Sequence, residues 1–168
     1  MNSEDSICML RLLMMCLITV AALYDDLKRY KISNKICVAG MLTGVILLLC
    51  DIAVGHAAAK YIAGGIAGFV IMLIAHMVMA VGAGDVKLMG ALGLIAGFYF
   101  INGVILLSFI FTALMGTVLA VCGRCGVKNV LGRKLHTIHF TAVLAAAEFV
   151  MVTVYYAESI EKLYVGGM

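Results

Sequence analysis

Proline and tryptophan are both absent from this 168-residue chain, and Asp, Glu, Lys and Arg together make up only 12% of it. Soluble domains carry about 25% charged residues, so there is too little polar sequence here to cover a soluble core. Without tryptophan the usual interfacial belt is missing, and tyrosine is left to anchor membrane boundaries. Alternating apolar segments of ~10 residues are lacking, which argues against a transmembrane barrel. There is no repeat and no low-complexity tract, and the longest loop, about 122–136, is too short for a second domain. A signal peptide is also not expected. The first apolar run follows the acidic "MNSEDS", and no small-x-small cleavage site precedes "YDDLKRYK". Of the six cysteines, four lie in apolar runs, where the thiol behaves as a small hydrophobe. They do not read as a secreted disulfide framework.

What is abundant is apolar sequence: 65% of residues, with a mean hydropathy of +1.15. Six apolar segments fall at roughly 7–24, 36–54, 58–81, 86–101, 103–121 and 137–157. Each is near the ~20 residues that cross the hydrocarbon, the fourth being shortest. The expected fold is a single all-α integral membrane domain over 1–168, a bundle of about six transmembrane helices. Gly40, Gly44, Gly64, Gly65, Gly68, Gly90, Gly93 and Gly97 recur at spacings of three or four. Small residues let helix backbones approach closely in lipid. The odd-numbered loops hold Lys28, Arg29, Lys31, Lys35, Lys87, Arg124, Lys128, Arg133 and Lys134, nine of the twelve basic residues. The positive-inside rule places those loops in the cytoplasm and both termini outside. The expected location is the cytoplasmic (inner) membrane, with lipid as the surroundings and no nucleic-acid partner.

This topology gives the stretch "VGAGDVKLMG" its interest. Asp85 falls at the cytoplasmic start of the fourth span, and Asp25 and Asp26 close the first span on the same side. A carboxylate near hydrocarbon is costly and usually faces a bundle interior or a wet cavity. Two carboxylates in one cavity cannot both ionise easily, so one retains a proton. Such a pair can hold a water between an acid and a base, as aspartic proteases do, without metal or other cofactor. Gly82 and Gly84 lack Cβ, so the backbone beside Asp85 can bend or approach an extended substrate strand. Gly82, Gly84 and Lys87 are therefore candidate substrate-binding residues. Helix-end flexibility explains the glycines equally well, and Lys87 either favours the ionised form of Asp85 or marks the headgroup boundary.

"GAGDVKLMGALG" resembles the GxGD motif of the type IV prepilin peptidases and the lysine-leucine run that follows it. "DLKRYKISN", Asp26 to Asn34, is similar to that family's other catalytic segment, an aspartate followed six and eight residues later by Ile and Asn. Aligning Ile32 and Asn34 selects Asp26 rather than Asp25. The resemblance implies an intramembrane aspartic endopeptidase with Asp26 and Asp85 as its catalytic pair. Its implied substrate is a prepilin, cut on the cytoplasmic side after a glycine that precedes the pilin's apolar helix. The first-loop cations would hold anionic lipid headgroups rather than a basic leader. Two departures stand out: the family usually has Pro where this chain has Ser33, and often has Pro in the last-helix region, where "TIHFTAVLAAAEF" has none. Bifunctional members carry a further N-terminal cytoplasmic region, often with paired CxxC motifs, to which nothing here corresponds. The expectation is thus a peptidase-only form, as in Flp/Tad-type pili, without N-methyltransferase activity. Archaeal preflagellin peptidases and presenilins share the GxGD logic, but compact length and the I-S-N segment favour the prepilin branch.

Other polar residues attract blander readings. Cys122 and Cys125 form a lone CxxC that His136 and His139 could complete as a zinc site on paper; free thiols are expected instead, and no metal. Asp25 is read as a solvated neighbour of Asp26, about 100° away around the helix. Glu148 lies near the middle of the last span, where it would pair with His76 or His139, stay protonated, or line a cavity. Arg11 is expected to snorkel from the outer end of the first span, and His56 to be solvated. The rival from another class is a small proton-coupled transporter or channel built on the same carboxylates. Against it, both aspartates sit near one face, and no inverted repeat is visible.

Overall fold

A computed structural model of the chain describes residues 3–29, 32–55, 57–79, 81–121, 127–130, 133–136 and 140–165. These residues form six helices: α1 (Ser3–Arg29), α2 (Asn34–Val54), α3 (Ala59–Met79), α4 (Ala83–Ala96), α5 (Phe98–Val121) and α6 (Phe140–Val165). Between α5 and α6 lies an antiparallel hairpin of β1 (Val127–Val130) and β2 (Arg133–His136), pairing Val127 with His136 and Val130 with Arg133. The six helices agree with the all-α expectation, and the hairpin is a short excursion in the α5–α6 connection. A search for apolar runs of membrane-spanning length does not register strands of four residues.

Four stretches are long and apolar enough to cross a membrane: Ile7–Arg29, Asn34–Val54, Ala59–Val78 and Phe98–Val118. In α6 the apolar stretch Thr141–Tyr155 is shorter. The surface is correspondingly apolar, with Leu13, Leu17, Val20, Leu42, Ile46, Ile66 and Ile74 exposed. The polar side chains Arg11, Thr19, Asp51, Asp85, Ser108, Thr141 and Glu148 are buried instead. That inversion suits a chain whose solvent is lipid, because each buried polar group then needs an internal partner.

The fourth segment departs from its expected 86–101. As a helix it spans Ala83–Ala96, 14 residues, or ~21 Å of rise, short of the ~30 Å hydrocarbon thickness. The other helices sheathe it, so that Val86, Leu88, Met89, Ala91, Leu92 and Ile95 are all buried. It ends at Gly97, whose φ of 87° is a left-handed conformation that side-chain-bearing residues rarely adopt. The Gly97 N–H still bonds the Gly93 carbonyl at 2.9 Å. α5 then starts at Phe98, and Asn102, the one polar residue near the expected boundary, lies inside it. Hydropathy is nearly continuous across this break, so the glycine marks it and polarity does not.

The glycine rows bring α4 against its neighbours at backbone distance. A Cβ on Gly64 of α3 would stand 2.5 Å from the Gly93 carbonyl oxygen and 2.6 Å from the Gly97 carbonyl carbon. On α2, a Cβ at Gly44 would meet the Leu94 Cβ at 2.8 Å. Close approach of this kind is what holds helices together where lipid removes the hydrophobic drive.

Arg11 does not snorkel. It is 4% exposed, and its Nη2 meets Asp51 Oδ2 at 2.5 Å and the Leu47 carbonyl at 3.0 Å. Its Nη1 donates to the Ile95 carbonyl at 2.8 Å, and Tyr61 lies 3.7 Å beneath the guanidinium carbon. The guanidinium thereby reaches a carbonyl in the second half of α2 and one in the last turn of α4. In lipid a buried acid on a neighbouring helix is a better partner than a distant headgroup.

Candidate active site

At the opposite end of α1, some ~22 Å along the helix from Arg11, the last turns carry Asp25 and Asp26. Facing them is the first turn of α4, which carries Asp85. Asp85 is 8% exposed and lies outside the four stretches long and apolar enough to cross a membrane. Its carboxyl is pushed up from the ordinary 3.8 to about 6, first by burial and then by the negative charge of Asp26. Two hydrogen-bond donors oppose that shift, the Gly82 backbone and the Thr141 hydroxyl. Thr141 sits at the start of α6 and donates to Asp85 Oδ1 at 3.5 Å. Three helices therefore converge on this carboxyl, and the two aspartates sense one another electrostatically. Ionising one makes ionising the other harder.

Residues 32–34, leading into α2, strap the two acidic elements together. Ser33 caps α2 through its side chain, and its own N–H donates to Asp25 Oδ2 at 3.2 Å. Asp25 also faces Arg29 Nε at 3.7 Å and is only 15% exposed. Its reading as a solvated neighbour is thereby corrected. Rotation of ~100° from Asp26 turns it toward the returning chain rather than toward water. The next strap residue, Ile32, is buried against Gly84, where a Cβ would come within 3.1 Å of the Ile32 Cβ. Cys37 of α2 donates its thiol to the Gly84 carbonyl at 3.7 Å, and Lys87 Nζ donates to Asn34 Oδ1 at 3.2 Å.

Neither glycine of "GAGD" has positive φ; among the described residues only Gly55 and Gly97 do. Gly82 is the extended N-cap of α4, and a Cβ there would stand 2.9 Å from Asp85 Oδ2. Close approach, to the Asp85 carboxyl at Gly82 and to Ile32 at Gly84, is what the missing side chains permit. Lys87 is exposed, with its ammonium directed at Asn34.

A model of the type IV leader peptidase family matches residues 12–121, a stretch that includes Asp26, the strap and Asp85. The chain belongs to that family. No curated protein and no solved structure matches it. As a member of a leader peptidase family with several apolar helices, it is a multi-pass membrane peptidase.

The remaining polar residues of this leader peptidase lie away from the aspartates. Glu148 is 3% exposed and lies beside Thr19 and Cys16 of α1. The expected pairing with His76 is not made: His76 Nδ1 meets the Val81 carbonyl instead. His139, the Cys122–Cys125 pair and His56 lie outside the described residues. Among the described residues, no three His, Cys, Asp or Glu side chains are grouped to hold a metal. A cavity of about 690 Å³ lies at the Arg11 end, lined by Asp51, Lys60, Tyr61, Tyr99 and Tyr155 among others. It contains neither Asp26 nor Asp85, and its size says nothing about the acid pair.

Reading the sequence did not find Thr141, Cys37 or Asp51. Thr141 stands at the start of an apolar run like many helix-end threonines, and only the fold reveals its acceptor. Asp51 carried a legible signal: an acid near the end of one span and an arginine near the outer end of another are a pair in waiting.

Proposed function

We propose that this leader peptidase is an intramembrane aspartic endopeptidase that removes the leader from type IV, Flp/Tad-like prepilins, with Asp26 and Asp85 as the catalytic pair. The observation that carries the reading is Asp85 itself: buried in the first turn of α4, raised to about 6, and raised in part by Asp26. Near neutral pH such a pair holds a single proton more readily than two isolated carboxylates.

The chemistry needs only that proton and a water. The ionised aspartate takes a proton from the water as its oxygen attacks the scissile carbonyl carbon. The protonated aspartate donates to the carbonyl oxygen, and a tetrahedral diol forms. Collapse of the diol breaks the C–N bond as one diol hydroxyl returns its proton to the now ionised aspartate, and the proton taken from water passes to the leaving amine. The pair ends with one proton, ready for the next substrate. Gly82, bare and exposed at the N-cap of α4, is where a substrate backbone could draw alongside the acids, with Gly84 and Lys87 completing the edge.

The distribution of Lys and Arg supports placing the acid end in the cytoplasm and both termini outside. Cleavage would then occur at the cytoplasmic face of the inner membrane, where the apolar helix of a prepilin enters the bilayer. The family match supports this reading over a proton-coupled transporter.

The test is co-expression with a Flp-type prepilin. Wild-type enzyme should convert the prepilin to a faster-migrating band, while Asp26→Asn and Asp85→Asn should each leave it uncut with the enzyme still membrane-inserted. Normal processing by either variant would dismiss the pair as the catalytic machinery.

A further inference from the structure

The last turns of α1 carry a second acid, Asp25, that the reaction scheme does not use. The geometry points to Asp25 as a positioning residue that acts through the Ser33 N–H to set Asp85 opposite Asp26. This inference rests on the reading of those two aspartates as the catalytic pair.

Four observations make the chain of contacts. Asp25 Oδ2 accepts from the Ser33 N–H at 3.2 Å, tying the last turns of α1 to the residue that caps α2. Arg29, one turn on, steadies the other carboxylate oxygen at 3.7 Å. Ile32, bonded directly to Ser33, is 5% exposed and seated on Gly84, immediately before Asp85. On the far side of Ser33, Asn34 accepts from Lys87 of α4 at 3.2 Å. Residues 32–34 thus grip α4 on both sides of Asp85, and Asp25 is the link between that grip and the helix that carries Asp26. A displacement of the strap would change the separation of the two acids, which is the quantity a shared proton depends on.

Ser33 has φ −69° and ψ 133°. Proline locks φ near −65° and carries no N–H. The backbone here already has the shape a proline would impose, and the Asp25 bond is what maintains it. The two devices are therefore interchangeable at this position: a proline at 33 fixes the strap covalently and makes its acceptor unnecessary.

That equivalence supplies the experiment. Purified enzyme in proteoliposomes is assayed on a Flp-type prepilin, with kcat and KM measured separately. Asp25→Ala is expected to lower kcat about tenfold with KM changed less than twofold. Asp25→Asn keeps an oxygen for the Ser33 N–H and should stay within about threefold of wild type. The double variant Asp25→Ala with Ser33→Pro should return to within about threefold as well. Two results would overturn the assignment: Asp25→Ala at wild-type kcat, or a loss that neither Asn nor Ser33→Pro restores. Asp26→Asn and Asp85→Asn in the same assay separate the two levels. If both are inactive and Asp25→Ala is normal, the positioning role falls and the catalytic pair stands. If Asp25→Asn is inactive while Asp26→Asn cuts normally, the pair itself is misassigned and the inference falls with it.

Discussion

Asp85→Asn should make the protein more stable near neutral pH while leaving it unable to cut. The folded carboxyl titrates at about 6 against an ordinary 3.8. Between those values the unfolded chain has released its proton and the folded chain still holds it. Stability therefore falls as pH rises through that window and is flat above it. At ~1.4 kcal/mol per unit, the shift corresponds to a penalty on the order of 3 kcal/mol at pH 7.5. Asp85 is only 8% exposed, so solvent screening takes little from this figure. Asparagine keeps an oxygen for the Thr141 hydroxyl but never carries the charge, so it escapes the penalty. Thermal melts of purified wild type and Asp85→Asn in one detergent, at pH 4 and pH 7.5, measure this directly. The variant should melt several degrees higher at pH 7.5, and the gap should close at pH 4. An equal or lower melting temperature at pH 7.5, or a gap that ignores pH, would show that burial and Asp26 do not act on Asp85 as argued.

Three further expectations concern other parts of the molecule. In the wild type, kcat/KM should fall tenfold per pH unit above about 6, the limb set by Asp85; Thr141→Val removes a donor that favours the ionised form and should move that limb to higher pH. Asp51→Ala should cost about 3 kcal/mol in chemical-denaturation midpoints, because it leaves the buried Arg11 without its acid, and replacing both with Leu and Met should recover most of the loss. Gly93→Ala drives a Cβ to 2.6 Å from the Gly64 carbonyl carbon, so it should cost at least the ~1–3 kcal/mol of core overpacking. Gly116→Ala, with nothing within 4 Å, should be neutral or mildly stabilising in the same melts.

The arrangement also explains how a small membrane peptidase keeps acids at a lipid boundary. α4 is the most enclosed helix, and its first turn holds Asp85. Burial raises Asp85, while the Gly82 backbone and Thr141 limit how far it rises. The N-terminus of a helix also favours a negative charge by a fraction of a kcal/mol. These opposed effects leave the group able to ionise or hold a proton near neutral pH, as the proposed reaction requires.

Much of this was legible in one dimension. Apolar runs of about twenty residues, scarce charge and no proline dictate helices in lipid, because backbone groups there must bond within their own segment. The spacing of Asp26, Ile32 and Asn34, with "GAGD" far along the chain, carried the family resemblance, since a motif is a local pattern. Other features came from tertiary structure alone. The short, sheathed α4 and the break at Gly97 escaped hydropathy, because the run is apolar on both sides of the glycine. Arg11 found Asp51, Asp25 found Ser33, and Thr141 found Asp85 because helix packing chose those neighbours. Pairing between segments depends on how remote faces fit together, and no windowed property of the chain contains that fit.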